Sequence, residues 1–190
     1  MKKFALAALA VSSLLLSACA TTQAVKPNTS IASVADAPIR FHISGKIGIT
    51  TQTDTGAQGG SAFYAWAQEG EHFNINLTGA LGIGTTDISY DGKVATLNSE
   101  RTGTISAANP DELLYSATGW QAPISQLPYW IVTRPAPSDS AHTRDAQGRL
   151  ATAINGAWTA NFKYNSKNQP NRLHITHTDG HRVVMTINHQ

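Results

Sequence analysis

Most of this chain alternates apolar and polar residues with a period of two, and that rhythm limits the fold more than any other feature. Ile39, Phe41, Ile43, Ile47 and Ile49 alternate with Arg40, His42, Ser44, Lys46 and Thr50. Successive side chains of a strand point to opposite faces, so this segment predicts one long half-buried strand. Gly45 and Gly48 are its candidate bends or bulges. A glycine-rich turn at Thr55–Gly60 follows, then Ser61–Gln68 with Phe63 on one face and Tyr64 and Trp66 on the other. After a turn at Glu69–Glu71, Phe73, Ile75 and Leu77 alternate with Asn74, Asn76 and Thr78. Beyond a break at Gly79–Gly84, Thr86, Ile88 and Tyr90 share a face, and Asp91-Gly92 is a tight hairpin signal. Lys93–Asn98 and Thr102–Ser106 complete a first sheet region.

The rhythm returns near the C-terminus with Trp158, Ala160, Phe162 and Tyr164, then Leu173 and Ile175. An Asp179-Gly180 turn leads to Val183, Met185 and Ile187. The count is about ten strands, and the lack of a strand–helix–strand alternation makes the sheet antiparallel. Between the two regions the period changes. Asn109 is a suitable N-cap, Pro110 fits the first helical position, and Glu112 completes a capping box. Leu113, Leu114 and Ala117 form the apolar side, and Gly119 stops the helix. Ser125 is placed to cap a second short helix carrying Leu127, Trp130 and Ile131, with Pro128 in its first turn and Pro135 and Pro137 beyond its end. The fold expected is mainly β with a helical insert. It is an incomplete antiparallel barrel whose mouth or concave face the helices cover.

The N-terminus sets the compartment. Lys2 and Lys3 precede an apolar run from Phe4 to Leu16, and Leu16-Ser17-Ala18-Cys19 follows. A basic start, a short apolar stretch and small residues at a cut site mark a secretory signal peptide, too short to span a bilayer core. The sole cysteine of the 190 residues stands there. The segment resembles the bacterial lipobox, which implies lipidation of Cys19 and removal of residues 1–18. Residue 20 is Ala, not the aspartate that resembles an inner-membrane retention signal, which implies sorting to the outer membrane. Residues 19–37, polar and small with Pro27, read as a lipidated tether, and 38–190 as one domain.

Processing also removes the basic excess. The whole chain has 14 Lys and Arg against 12 Asp and Glu, and two of the lysines lie in residues 1–18. The mature chain is formally neutral, with no basic run to suggest a nucleic-acid partner. Catalytic groups are equally sparse. No Gly-x-Ser-x-Gly elbow occurs. Gly79–Thr86 superficially resembles a phosphate loop but lacks the Gly-Lys-Ser/Thr ending. Asp111 and Glu112 are first of all helix-start residues. Of the seven histidines, His174 and His177 are three apart on a strand and face opposite ways, and His181 and His189 could join them only through the tertiary fold. The reading is therefore of a non-enzyme with no metal and no cofactor. Trp66, Trp120, Trp130 and Trp158 are spread over both sheet regions and the helices. They either fill a conventional core or line a cavity for an apolar ligand.

The order of several segments resembles the LolB family of outer-membrane lipoprotein receptors. Phe41-His-Ile-Ser-Gly-Lys-Ile-Gly-Ile, Phe63-Tyr-Ala-Trp-Ala-Gln and Glu71-His-Phe-Asn-Ile-Asn-Leu-Thr-Gly-Ala-Leu-Gly carry the resemblance first. Asn109-Pro-Asp-Glu-Leu-Leu, Thr118-Gly-Trp, Pro123-Ile, Tyr129-Trp-Ile, Asp145-Ala-Gln-Gly-Arg-Leu and Pro170-Asn-Arg-Leu continue it through nearly all of residues 38–189.

The resemblance implies a receptor that accepts triacylated lipoproteins from the periplasmic carrier LolA and inserts them into the outer membrane of a Gram-negative bacterium. It implies an anchor at Cys19, a periplasm-facing domain and a hydrophobic cavity, and nothing in the sequence suggests more than a monomer. Trp66, Phe73, Ile75, Trp130 and Trp158 are the candidates for the cavity wall. The family's membrane-inserting leucine maps to Leu81, with Ile83 as a second apolar residue and Ala80 where the family motif has proline. The alternative reading is an outer-membrane lipoprotein that binds another amphiphile or serves as a structural or assembly partner.

Overall fold

Arg40–Thr53, the longest alternating run, forms strand β1 and is the spine of the sheet. The computed structural model describes residues 37–79, 84–100, 102–119 and 121–190. In chain order β1 is followed by β2 (Gly56–Glu69), β3 (His72–Thr78), β4 (Thr85–Tyr90), β5 (Ala95–Ser99) and β6 (Gly103–Ala107). Helices α1 (Pro110–Thr118) and α2 (Leu127–Ile131) come next. Strands β7 (Ala141–Arg144), β8 (Leu150–Asn155), β9 (Trp158–Tyr164), β10 (Pro170–His177), β11 (Arg182–Thr186) and β12 (Asn188–His189) complete the chain.

All 12 strands among the described residues join one antiparallel sheet in the order β6-β5-β4-β3-β2-β1-β11-β10-β9-β8-β7, with β12 also on β1. The two ends of this path, β6 and β7, do not pair with each other, so the sheet is open. The count exceeds the ten or so expected because β7, β8 and β12 were not legible. All four residues of β7 are exposed, so it has no apolar face to alternate. β12 has only two residues. The turn placed at Thr55–Gly60 is shorter than expected: Gly56 to Gly60 already pair with Thr53 to Ile49.

Neither Gly45 nor Gly48 is a bulge against β2, since that register runs unbroken through both, but on its other side β1 loses its pairing at Gly45 and Lys46, between Ser44–Asn188 and Ile47–Met185. Gly45 serves a close approach instead. A Cβ there would lie 1.9 Å from the carbonyl oxygen of Thr186. At the same crossing Tyr64 Oη donates to that carbonyl at 2.8 Å, and the Lys46 N–H donates to Thr186 Oγ1 at 2.9 Å. A side chain thus replaces one rung of the ladder between β1 and the end of β11.

The inner face carries the core. Trp66, Ile43, Leu173, Ile175 and Met185 are almost fully buried there, joined by Leu113 of α1 and Trp130 and Ile131 of α2. Phe41, Trp66, Phe73 and Tyr90 form an aromatic row across β1 to β4, with ring centroids 5.6, 5.9 and 6.0 Å apart in tilted or edge-on contacts. Such geometry suits the ring quadrupoles.

Helix α1 follows its local code. Asn109 Oδ1 accepts the Glu112 N–H at 2.9 Å, and Gly119, at φ 79°, donates to the Tyr115 carbonyl at 2.8 Å. Helix α2 departs from it. Gln126 holds the cap position without a side-chain bond, and the Ser125 hydroxyl donates to Asp111 Oδ2 at the start of α1 instead. This bond ties the beginning of α1 to the segment that leads into α2.

Candidate functional site

The inner face does not pack solid everywhere. Between the sheet and α1 lies an apolar hollow of about 120 Å³. Ile47 and Ile49 of β1, Trp66 of β2, Ile75 and Leu77 of β3 and Ile88 of β4 form its sheet side. Ile175, Val183 and Met185 close it from β10 and β11, and Leu114, Ile124 and Leu127 from the helical segment. A wider, more open hollow of about 410 Å³ adjoins it and shares Ile47, Ile49, Leu77, Ile88 and Leu114. Ser61, Ala62, Leu97 and Ala117 add to its wall.

Local chemistry keeps the inner wall apolar. The Tyr64 hydroxyl is spent on the Thr186 carbonyl, and burial pushes its pKa well up, so the phenol stays neutral. Thr118 Oγ1 donates back to the Leu114 carbonyl at 2.6 Å. Trp66 Nε1 donates to Gln68 Oε1 at 2.9 Å, and Gln68 Nε2 in turn donates to the Gly70 carbonyl at 2.8 Å. The one buried polar side chain among the described residues, Gln68, is thereby satisfied. An aliphatic guest would meet a surface with no unmet polar group.

A larger hollow, about 670 Å³, lies at the end of the sheet where β1 begins. Arg40, Glu69 and His72 line it. Covering these charges with an apolar ligand would desolvate them, so this hollow does not suit the same ligand.

The structure brings two of the five cavity candidates, Trp66 and Ile75, to the apolar hollow. Phe73 continues the aromatic row and faces the charged hollow at the end of the sheet. Trp130 is fully buried in α2 and donates through Nε1 to Asp139 Oδ2 at 3.1 Å. Trp158 meets His177 in a tilted ring contact, with centroids 4.7 Å apart. Cys19, Leu81, Ile83 and Trp120 lie outside the described residues. The base of the 79–84 connection is described: Gly79 N–H donates to the Gly84 carbonyl at 3.1 Å, directly beyond the Thr78–Thr85 pair. Phe63, 67% exposed, stands beside Thr78 on the outer face.

Most of the hollow's wall is aliphatic and was legible only as the apolar face of each strand. Sequence reasoning also missed a polar cluster. His177, Asp179 and His181 come together at the turn between β10 and β11, with one ligand-type atom from each within 4.8 Å of the others. The signal lay in the separation of four between the two histidines across Asp179-Gly180, which a turn converts into a facing pair.

Fold and hollow together define a class: a single open antiparallel sheet, partly wrapped around an apolar interior, with two short helices inserted between its halves. Comparison with known proteins narrows the class to one family. The family model described as outer membrane lipoprotein LolB matches residues 39–189. The outer-membrane lipoprotein LolB of Stutzerimonas stutzeri (strain A1501) is 32% identical over 152 residues, covering 77% of this chain and 70% of that protein. The protein of the same name from Pseudomonas putida (strain W619) is 34% identical over 140 residues, covering 71% of this chain and 66% of that protein. The chain belongs to the LolB family of outer-membrane lipoproteins. No helix among the described residues is long and apolar enough to cross a membrane.

Proposed function

We propose that this protein receives triacylated lipoproteins from the periplasmic carrier LolA and places them in the outer membrane, acting as a monomer anchored through Cys19. Residues 1–18 are the signal peptide removed on export, 19–37 the tether, and 38–190 the lipoprotein-binding domain. The observation that carries this reading is the apolar hollow beneath α1, which among the described residues has no buried polar side-chain atom without a partner and which adjoins a wider, mainly apolar one.

The energetics call for such a site. Each exposed CH₂ costs about 0.8 kcal/mol, so three acyl chains in water cost tens of kcal/mol. Direct passage from the carrier's cavity to this one avoids that exposure and needs no nucleotide, provided the bilayer binds the chains better still. The enclosed part, about 120 Å³, is smaller than the roughly 300–1,000 Å³ of ordinary ligand pockets. Loading therefore widens it. Helix α1 is the covering element that yields: its Leu114 and Ala117 are only half buried and face the mouth. Trp130 and Ile131 hold α2 in the core.

Leu81, with Ile83, is the membrane-contacting part of the connection between β3 and β4. Burying one leucine is worth roughly 1.5–3 kcal/mol, too little to anchor a protein but enough to bias where a loaded site opens. Full-length protein mixed with carrier holding a labelled triacylated lipoprotein tests the reading. Cargo recovered on this protein, and then in liposomes, is the expected result. Cargo that stays on the carrier while the protein remains folded overturns it, and bound phospholipid in native mass spectrometry would then favour another amphiphile. Leu81→Glu is expected to take up cargo normally and to lose most insertion. A joint loss of both steps would place Leu81 in the cavity or the fold.

A further inference from the structure

We propose that His177, Asp179 and His181 form a binding site for a borderline divalent transition cation, such as Zn²⁺, Ni²⁺ or Cu²⁺, at the rim of the apolar hollow. The argument begins with the turn. His177 N–H donates to the His181 carbonyl at 2.9 Å, and Gly180 N–H donates to the His177 carbonyl at 2.9 Å. The two histidines therefore close the turn opposite each other, and their side chains share one face. Gly180, at φ 88°, supplies the left-handed residue the turn needs. Asp179 at the apex brings a carboxylate oxygen to 3.5 Å from His177 Nδ1. The imidazole rings have centroids 5.5 Å apart, and Trp158 packs at a tilt against the first of them at 4.7 Å.

Imidazole nitrogen with one carboxylate selects zinc, nickel or copper over calcium or magnesium, which prefer all-oxygen shells. Ligand atoms around a tetrahedral zinc ion stand about 3.3 Å apart, given bonds of about 2.0 Å. The three atoms here lie within 4.8 Å, so side-chain rotation on an accessible turn is enough to close the shell. The hydrogen bonds that the two rings accept define what loading changes. Gln52 N–H donates to His181 Nδ1 at 3.0 Å, and Asp179 N–H to His177 Nδ1 at 3.1 Å. A cation at Nδ1 displaces the N–H donor, and a cation at Nε2 drives the ring proton onto Nδ1. Either way His181 lets go of Gln52, so loading trades a tie to the end of β1 for a clamp within the turn. Ile175 and Val183, the next residue pair on the same face, line the hollow, which puts the site at its rim. The proposal does not depend on what the hollow binds.

The test is a titration of the full-length protein in non-ionic detergent with Cu²⁺, followed by tryptophan emission and by binding heat. The expected result is saturation at one equivalent with quenching, because a paramagnetic ion at His177 sits against Trp158, and reversal of the quenching by EDTA. His177→Gln and His181→Gln should each weaken binding at least tenfold. Trp158→Phe should keep the binding heat and lose most of the quenching. His174→Gln, on the opposite face of β10, should change neither. No saturable binding, or unchanged affinity in both His177→Gln and His181→Gln, overturns the proposal.

Discussion

At Gly45 the missing side chain is the point of the residue. A Cβ would sit 1.9 Å from a backbone carbonyl that is itself held by Tyr64, so no flexible group can move aside. Gly45→Ala is expected to destabilise by about 3 kcal/mol, the upper end of overpacking effects, as a fall in the urea midpoint. Gly48→Ala, three residues on, meets nothing within 4 Å and should leave that midpoint within about 0.5 kcal/mol of its original value. A second residue-scale case is Asp145. Its Oδ2 accepts Arg149 Nε at 2.7 Å, and its Oδ1 accepts the backbone N–H groups of Arg149 and Gln147. The Arg149 side-chain bond, ahead of those backbone bonds, lowers the carboxyl pKa. A folded pKa below the unfolded one gives stability that is present above the ordinary carboxylate range, about pH 4, and is lost as pH falls through the folded value. Asp145→Asn should thus melt earlier than the parent at pH 7, and the two should converge in acid, as thermal scans from pH 7 to pH 3 can show.

Among the elements, α1 was legible because its instructions are local. Asn109, Pro110 and Gly119 lie within or beside the helix they define, and each takes the position its chemistry suggests. Removing the cap with Asn109→Ala should cost about 1 kcal/mol of stability, measurable by denaturant unfolding. The start of α2 was misread because the partner of Ser125 is Asp111, fourteen residues earlier, and only the folded chain brings it near. The same division runs through the strands. Ile47, Ile49 and Ile75 were assigned to the correct face by alternation alone, whereas on β2 alternation only set Trp66 opposite Phe63. Which inward residues pack solid and which border a hollow depends on how the sheet coils and on where α1 lies across it. The period of two carries no such information, so Trp130 and Trp158 looked like equally good wall candidates. Leu114 occupies the wall shared by both hollows. Leu114→Gln should leave the fold intact while lowering the affinity for a hydrophobic dye about tenfold, since it sets an amide against an otherwise apolar throat.

For the whole molecule the defining fact is that the path through the sheet has two ends. Among the described residues β6 and β7 each offer one row of backbone groups without a strand partner, whereas β1 is bonded on both sides. Amide exchange should therefore be fastest in β6 and β7 and slowest in β1 and β11, a gradient that hydrogen-exchange mass spectrometry resolves. A closed barrel would show no such gradient across its strands. Strand number and stagger fix the radius of a closed barrel, so its bore cannot change without breaking ladder bonds. This sheet is not bound by that relation. It can uncoil along its length, every rung intact, and its interior grows as its curvature relaxes. A vessel of set volume cannot follow a helix that moves across its mouth; an open sheet, like a leaf spring, can.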